Sequence, residues 1–378
     1  MKIPFNKPHI IGAELDYIVQ AVESGKISGN GLFTQKCQRF FEKKYGVPKC
    51  LLTTSGTDAL EMAAILCEVE PGDEVILPSY TFVSTANAFL LRGATIKLVD
   101  SELETPNISV QAIAEAISPK TKVIVVVHYA GVACDMDAIM ALANEHQILV
   151  VEDAAQAIDA YYKGKPLGTI GDLGAFSFHE TKNIIAGEGG LLSINNADFA
   201  PRAEVIWEKG TNRSAFFRGE IDKYTWVDVG SSFLPSELVA AFLYAQLENI
   251  EKIQKRRIEI WNSYYKGLRP LEDSGQISLP KLPDYATNNA HMFYVLCESI
   301  DTRSRLIKYL KERGILAVFH YVPLHLPEFY SENNLLTLPN AERYGNVLLR
   351  LPLFYSLTNE NVQEIISLIN IFYEDEKR

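Results

Sequence analysis

Val123-Ile124-Val125-Val126-Val127 is an unbroken apolar run. A strand with one wet face would alternate, whereas a parallel strand covered by helices on both faces reads as continuous apolar sequence. The neighbouring sequence repeats the theme. Val75-Ile76-Leu77 stops at Pro78, a helix carrying Ala86, Ala88, Phe89 and Leu90 ends at Gly93, and Ile96-Lys97-Leu98-Val99 leads to Asp100. Helices over 110–117 and 136–146 flank the central run, and ILVVED (148–153) supplies a further strand. Strand alternating with helix predicts an α/β fold with a mainly parallel sheet. In such sheets ligands gather beyond the carboxyl ends of the strands. The residues placed there are Tyr80 and Phe82, His128, Asp153 with Gln156, and Lys182.

Lys182 lies in GAFSFHETKNIIAGEGG (174–190). Ala175 to Phe178 alternate as a strand, a polar turn carries His179, Glu180, Thr181 and Lys182, and Gly187, Gly189 and Gly190 close the loop. Desolvation lowers a lysine's pKa and frees its amine as a nucleophile toward carbonyls; an ordinary turn lysine would share this local sequence. Asp153 ends a wholly apolar strand, where an unpaired carboxylate is costly; capping the helix that follows is its structural alternative. Thr53-Thr54-Ser55-Gly56-Thr57 precedes a helix bearing Ala59, Leu60, Ala63, Ala64 and Cys67. Free amides and hydroxyls at such a helix start suit one phosphate, while Asp58 and Glu61 have the spacing of a capping box. A lysine, a carboxylate, a flat aromatic and a phosphate cup together match what pyridoxal phosphate requires.

Beyond residue 200 the pattern is less regular. EKGTNRSAFFRGEIDKYTW (208–226) reads as a long polar loop with Lys209, Arg213, Arg218 and Lys223 among aromatics, and loops of that length usually serve a site or an interface. Pro235 opens a helix expected to run to about Gly267, long enough to bridge two domains. The remainder carries strands near 291–297 and 315–321 and helices at 302–313 and 359–373, a smaller α+β unit. The expected division is a large cofactor-binding domain over 1–250 and a small domain over 251–378. With 36 basic and 47 acidic side chains the net charge is −11, which argues against a nucleic-acid footprint. Five scattered cysteines without CxxC spacing read as reduced thiols of a cytoplasmic protein. No apolar run approaches a membrane span. No metal site is expected: His179-Glu180 lacks the second histidine of HExxH, and His320 and His325 stand in a strand leaving into a loop.

The runs PGDEVILPSYTFVSTANAF, VHYAGVACDMD, VVEDAAQ, SFHETKN, KGTNRSAFFRG and AVFHYVPLH carry a resemblance. Through them the chain resembles the sugar-nucleotide aminotransferases of the DegT/DnrJ/EryC1/StrS family over essentially its whole length. The resemblance implies a type I pyridoxal-phosphate fold and a homodimer, or higher homo-oligomer, in which each site is completed by the partner. By matching positions, Lys182 would hold the cofactor as a Schiff base and Asp153 would face the pyridine nitrogen. Gln156 would lie beside the ring and Phe82 would stack on it. The backbone at Thr57 and Asp58, with the Ser177 hydroxyl, would hold the phosphate, the Asp58 carboxylate turned away. Arg213, Arg218 and His320 are the substrate-binding candidates. One run departs from the family: many members have asparagine and arginine in a GxNxR run, where GSSFL places Ser232 and Leu234. Arg213 or another residue of 208–226 would then reach the partner's phosphate. The implied reaction moves the amino group of L-glutamate to C4 of dTDP-4-keto-6-deoxy-D-glucose, a dTDP-sugar. The alternatives are amination at C3 and, from a different class, a cofactor-binding sensor without turnover; sugar dehydration, which in relatives goes with histidine in place of the lysine, is opposed by Lys182.

Overall fold

Seven strands form the main sheet of the computed structural model, which describes residues 2–331 and 336–376. They are β1 (Lys49–Thr53), β2 (Glu74–Pro78), β3 (Thr95–Val99), β4 (Thr121–Val127), β5 (Leu149–Asp153) and, after the small hairpin of β6 (Tyr161–Tyr162) and β7 (Lys165–Pro166), β8 (Leu173–Ser177) and β9 (Gly190–Ile194). Their order is β1-β9-β8-β5-β4-β2-β3. Strands β3, β2, β4, β5 and β8 run parallel; β9 is antiparallel to both β8 and β1. The double reversal leaves β1 pointing the same way as β8. Thr53, Pro78, Val127, Asp153 and Ser177 therefore all finish on one edge of the sheet.

Helices cover both faces. In chain order they are α1 (Glu14–Glu23), α2 (Leu32–Tyr45), α3 (Gly56–Leu66), α4 (Val83–Leu90), α5 (Val110–Ala116), α6 (Met136–His146), α7 (Ala200–Trp207), the short α8 (Arg213–Phe217) and α9 (Glu237–Glu248). The strand β4 shows why the apolar run is unbroken. Ile124 and Val126 pack with α2, α5, α6 and α9, while Val123 and Val125 pack with α3, α4 and α7. Both sets are fully buried, so each position of the strand needs an apolar side chain.

A second sheet, all antiparallel, has the order β10-β11-β13-β12, with β10 (Ile277–Ser278), β11 (Phe293–Cys297), β12 (Val318–Phe319) and β13 (Leu348–Leu351). On one face it packs against α10 (Ile250–Asp273), α11 (Ile300–Glu312) and, after α12 (Glu328–Ser331) and α13 (Pro339–Val347), α14 (Asn359–Asp375). Its other face meets the strand ends of the main sheet through a buried cluster holding Tyr80, Tyr129, Tyr294, Tyr344 and Leu348. Ile3 bridges to Ile315 and joins the second core, so the chain's first residues reach across to this sheet.

The sequence reading needs correction at several elements. The expected helix from Pro235 to Gly267 is two helices, α9 and α10. They part at Asn249, whose side-chain amide donates to the Ala245 carbonyl at 2.9 Å and takes over an end of α9. Helix α2 starts at Leu32, directly after Gly31. The Glu237 carboxylate accepts from the amides of Gly31, Phe33 and Thr34 at 2.9, 2.7 and 3.1 Å, supplying the cap that Gly31 lacks. The loop 208–226 contains α8. Strands β10 and β13 and helix α13 were not foreseen.

Candidate active site

The shared edge of the main sheet opens into a cavity of about 530 Å³, closed from the far side by the second sheet. At one end lies the start of α3. Ser55 caps this helix, its hydroxyl accepting from the Asp58 amide at 3.0 Å. The amides of Gly56 and Thr57, in the first turn, have no acceptor within the helix, and both residues line the cavity with Ser177. Small residues make the approach possible. A Cβ on Gly56 would lie 2.8 Å from the Ser177 Cβ, and one on Gly190 would lie 2.2 Å from the Ser55 carbonyl oxygen. The Thr57 hydroxyl is 2.8 Å from that of Ser84, which also faces the cavity.

Asp153 ends β5 in the cavity wall and is buried. Its carboxylate accepts from the Thr85 hydroxyl at 2.8 Å and from the Ala155 amide at 3.1 Å. Burial pushes its pKa up, and these hydrogen bonds together with the Lys182 charge oppose the rise. Lys182 lies in the same wall, in the turn after β8. The Lys182 amide donates to the His179 carbonyl at 2.9 Å, and the Ala186 amide returns to Phe178 at 2.7 Å, fixing the loop. Burial lowers the lysine to about 8, with Arg350 adding to the effect and Asp153 opposing it. A lysine at about 8 holds a useful share of neutral amine near neutral pH.

Gln156 is fixed on both ends of its amide, accepting from the Ala130 amide at 2.6 Å and donating to the Tyr321 hydroxyl at 3.2 Å. Phe82 stands at the mouth, 55% exposed, its ring 6.0 Å from that of Tyr321. His320 faces the cavity with Nδ1 2.9 Å from the Tyr129 hydroxyl. Burial, with the nearby charges of Arg350 and Lys182, holds His320 far below its ordinary pKa and therefore neutral.

Most of the sequence-derived residues converge on this cavity: Thr57, Phe82, Asp153, Gln156, Ser177, Lys182 and His320. Asp58 is a correction. Its amide is spent on Ser55 and its carboxylate takes the Thr54 hydroxyl, so Gly56 takes its place beside Thr57 in offering a free amide. The capping pair is accordingly Ser55 with Asp58, not Asp58 with Glu61. His128 lies behind the sheet, 2.9 Å from buried Glu152, and Tyr80 sits in the tyrosine cluster. Arg213 and Arg218 lie outside the cavity. Arg213 stacks on Phe217, and Arg218 pairs with Glu204 and Glu220. Ser232 is exposed. Sequence reasoning missed Thr85, His291, Tyr321 and Arg350. Thr85 had a legible signal, three residues after Phe82 in the first turn of a helix leaving a strand end; Arg350 belongs to a strand that was not foreseen.

The site fits pyridoxal phosphate. Two free amides and the Ser177 hydroxyl stand where a phosphate needs donors, in a cradle any added Cβ would fill. A buried acid and a lysine of lowered pKa stand in the same wall. Among the described residues no cluster of His, Cys, Asp or Glu is placed to hold a metal ion, and no helix is long and apolar enough to cross a membrane.

Residues 8–370 match the model of the DegT/DnrJ/EryC1/StrS aminotransferase family. The uncharacterized protein MJ1066 of Methanocaldococcus jannaschii is 32% identical over 377 residues, covering 97% of this chain and 96% of its own. The aminotransferase TlmJ from Streptoalloteichus hindustanus superposes with a TM-score of 0.91 at 30% identity, over all of both chains. Spr1654 from Streptococcus pneumoniae, in its PLP-form, gives a TM-score of 0.92 at 27% identity over 99% of each chain. Matched to that model over nearly its whole length, the chain belongs to the DegT/DnrJ/EryC1/StrS aminotransferase family.

Proposed function

We propose that this aminotransferase uses pyridoxal phosphate to move the amino group of L-glutamate to C4 of dTDP-4-keto-6-deoxy-D-glucose, giving dTDP-4-amino-4,6-dideoxy-D-galactose and 2-oxoglutarate. The observation that carries the chemistry is a lysine lowered to about 8 in one cavity wall with a buried carboxylate. Support for the sugar comes from the family resemblance of the sequence runs and from Spr1654, which is described as a proposed sugar aminotransferase.

When bound, pyridoxal phosphate supplies a ring that accepts the electron pair left at the substrate carbon. The residues divide the remaining work. The Gly56 and Thr57 amides, aided by the positive end of α3, would hold the phosphate. Asp153, steadied by Thr85 and Ala155, would hold a proton at the pyridine nitrogen. Phe82, and Gln156 locked by Ala130 and Tyr321, would orient the ring. Lys182 Nζ, as a free amine, would take the proton from Cα of glutamate and pass it on, and with the keto sugar would deliver a proton to C4.

The protein acts as a homodimer with shared sites in this reading. Phe217, Tyr224 and Trp226 are exposed, Trp226 by 79%, on the stretch that carries Arg213 and Arg218. Those arginines, remote from their own cavity, would serve the partner's sugar nucleotide and fill the role vacated at Ser232. Five buried, unpaired cysteines fit a reducing cytoplasm. The test is the product formed from L-glutamate and the keto sugar nucleotide, analysed by mass spectrometry with NMR to place the nitrogen. Nitrogen at C4 is expected; nitrogen at C3, or no transfer, would defeat the reading.

A further inference from the structure

We propose that Ser79, His325 and Glu342 form a hydrogen-bonded clasp that holds His320 and Tyr321 in the cavity wall, a deepening of the aminotransferase reading that rests on it. The three side chains come from separate elements. Ser79 follows the end of β2, His325 lies in the segment between β12 and α12, and Glu342 is on α13. His325 Nδ1 is 2.7 Å from the Ser79 hydroxyl, and its Nε2 is 3.3 Å from the Glu342 carboxylate.

The directions of these bonds follow from what each group can do. An ionised carboxylate only accepts, so Nε2 carries a hydrogen toward Glu342. The Ser79 hydroxyl accepts from the His325 amide at 3.3 Å, which leaves its own hydrogen for Nδ1. Were Nδ1 a donor as well, that hydroxyl hydrogen would be buried without an acceptor, which is costly. A hydroxyl, an imidazole and a carboxylate in line also describe a nucleophilic triad. Here Ser79 is wholly buried, His325 nearly so, and neither borders the cavity. No substrate can reach the hydroxyl, so the chain of bonds fastens and does not attack.

Both ends of the clasp are anchored. Asp100, directly after β3, accepts from the amides of Asn340 and Ala341 at 3.1 and 2.8 Å, docking the start of α13 on the main sheet. The Ser79 amide donates to the Val99 carbonyl at 3.0 Å, and the Ser79 carbonyl accepts from the Leu324 amide at 2.8 Å. The segment they grip leaves a strand of only two residues, β12. His320 and Tyr321 precede His325 on that segment. Tyr321 accepts from Gln156 and packs 6.0 Å from Phe82, which stands in the turn that Ser79 begins. The clasp therefore sets the spacing of two cavity walls, the turn carrying Thr81 and Phe82 and the segment carrying His320 and Tyr321. His325 is a positioning residue, acting through these side chains.

The test compares wild-type holoenzyme with Ser79→Ala, His325→Ala, His325→Asn and the Ser79→Ala/His325→Ala pair. Three quantities are read: visible circular dichroism of the bound cofactor, the half-saturating keto sugar concentration, and amide hydrogen exchange over 320–326 by mass spectrometry. His325→Ala should weaken the visible band, raise half-saturating keto sugar about 10-fold and speed exchange, with far-ultraviolet dichroism unchanged. His325→Asn, which keeps an acceptor near the Nδ1 position, should recover part of each change. The pair should lose no more than His325→Ala alone, because both substitutions open the same bond. Should His325→Ala fail to fold, Ser79→Ala, which removes a single oxygen, carries the same expectations. A lowered melting temperature with all three quantities unchanged, or losses that add in the pair, would overturn the assignment. A wild type that binds no cofactor would instead defeat the aminotransferase reading, and exchange over 320–326 would still report on the clasp.

Discussion

Lys182 is the residue on which the proposed chemistry turns, and its depressed pKa has two consequences. From an ordinary value of 10.5 it falls to about 8 because the charged form is buried. Between those values the folded protein binds fewer protons than the unfolded chain, so this group makes stability rise with pH across that window. Cofactor-free wild type should therefore gain stability relative to Lys182→Met as pH is raised from about 8 to 10 in denaturant titrations. A constant difference would show that the lysine is not desolvated. Lys182→Ala should cut turnover at least about 1,000-fold, combining loss of the nucleophile and of the acid–base group, while circular dichroism stays that of the wild type. Lys182 and Asp153 could be singled out in the sequence because Asp153 ends an apolar strand and Lys182 stands in the turn after another, and their combination with Phe82 and the 53–57 run pointed to the cofactor. The Tyr321 contact to Gln156 was not legible, since it depends on elements meeting through space.

The element proposed to seat the phosphate is α3. Ser55 both caps it and leaves its first amides open, so Ser55→Ala should cost about 1 kcal/mol of stability, read as a lowered denaturation midpoint. Gly190 matters for a different reason: β9 passes so near the Ser55 carbonyl that a methyl group would overlap it. Gly190→Ala should accelerate loss of pyridoxal phosphate on dialysis, measured by absorbance; unchanged retention would show that the cup can widen freely. The central strands and α6 were readable from their apolar periodicity. The second sheet was harder, because β10 and β12 are two residues each and carry no period, and β13 interrupts its leucines with Arg350. The split at Asn249 was masked by good helix formers on either side.

At the scale of the whole molecule, the cavity exists because two sheets meet over a tyrosine cluster, the first supplying Lys182 and Asp153 and the second His291, His320 and Arg350. The alternation of strands and helices made the larger sheet legible; the way the smaller one closes over it was not, since neither half carries a local signal of the other. The exposed Trp226 marks the surface proposed for the second subunit. Trp226→Glu should shift light-scattering mass toward a monomer and lower turnover together; a variant that stays dimeric and active would move the interface elsewhere. The central claim, that the strand-end lysine is where pyridoxal phosphate is bound covalently, is tested most directly by borohydride reduction of the loaded protein and peptide mass mapping. The account predicts a single pyridoxyl adduct on Lys182. An adduct on another lysine, or a protein that takes up no cofactor, would contradict it.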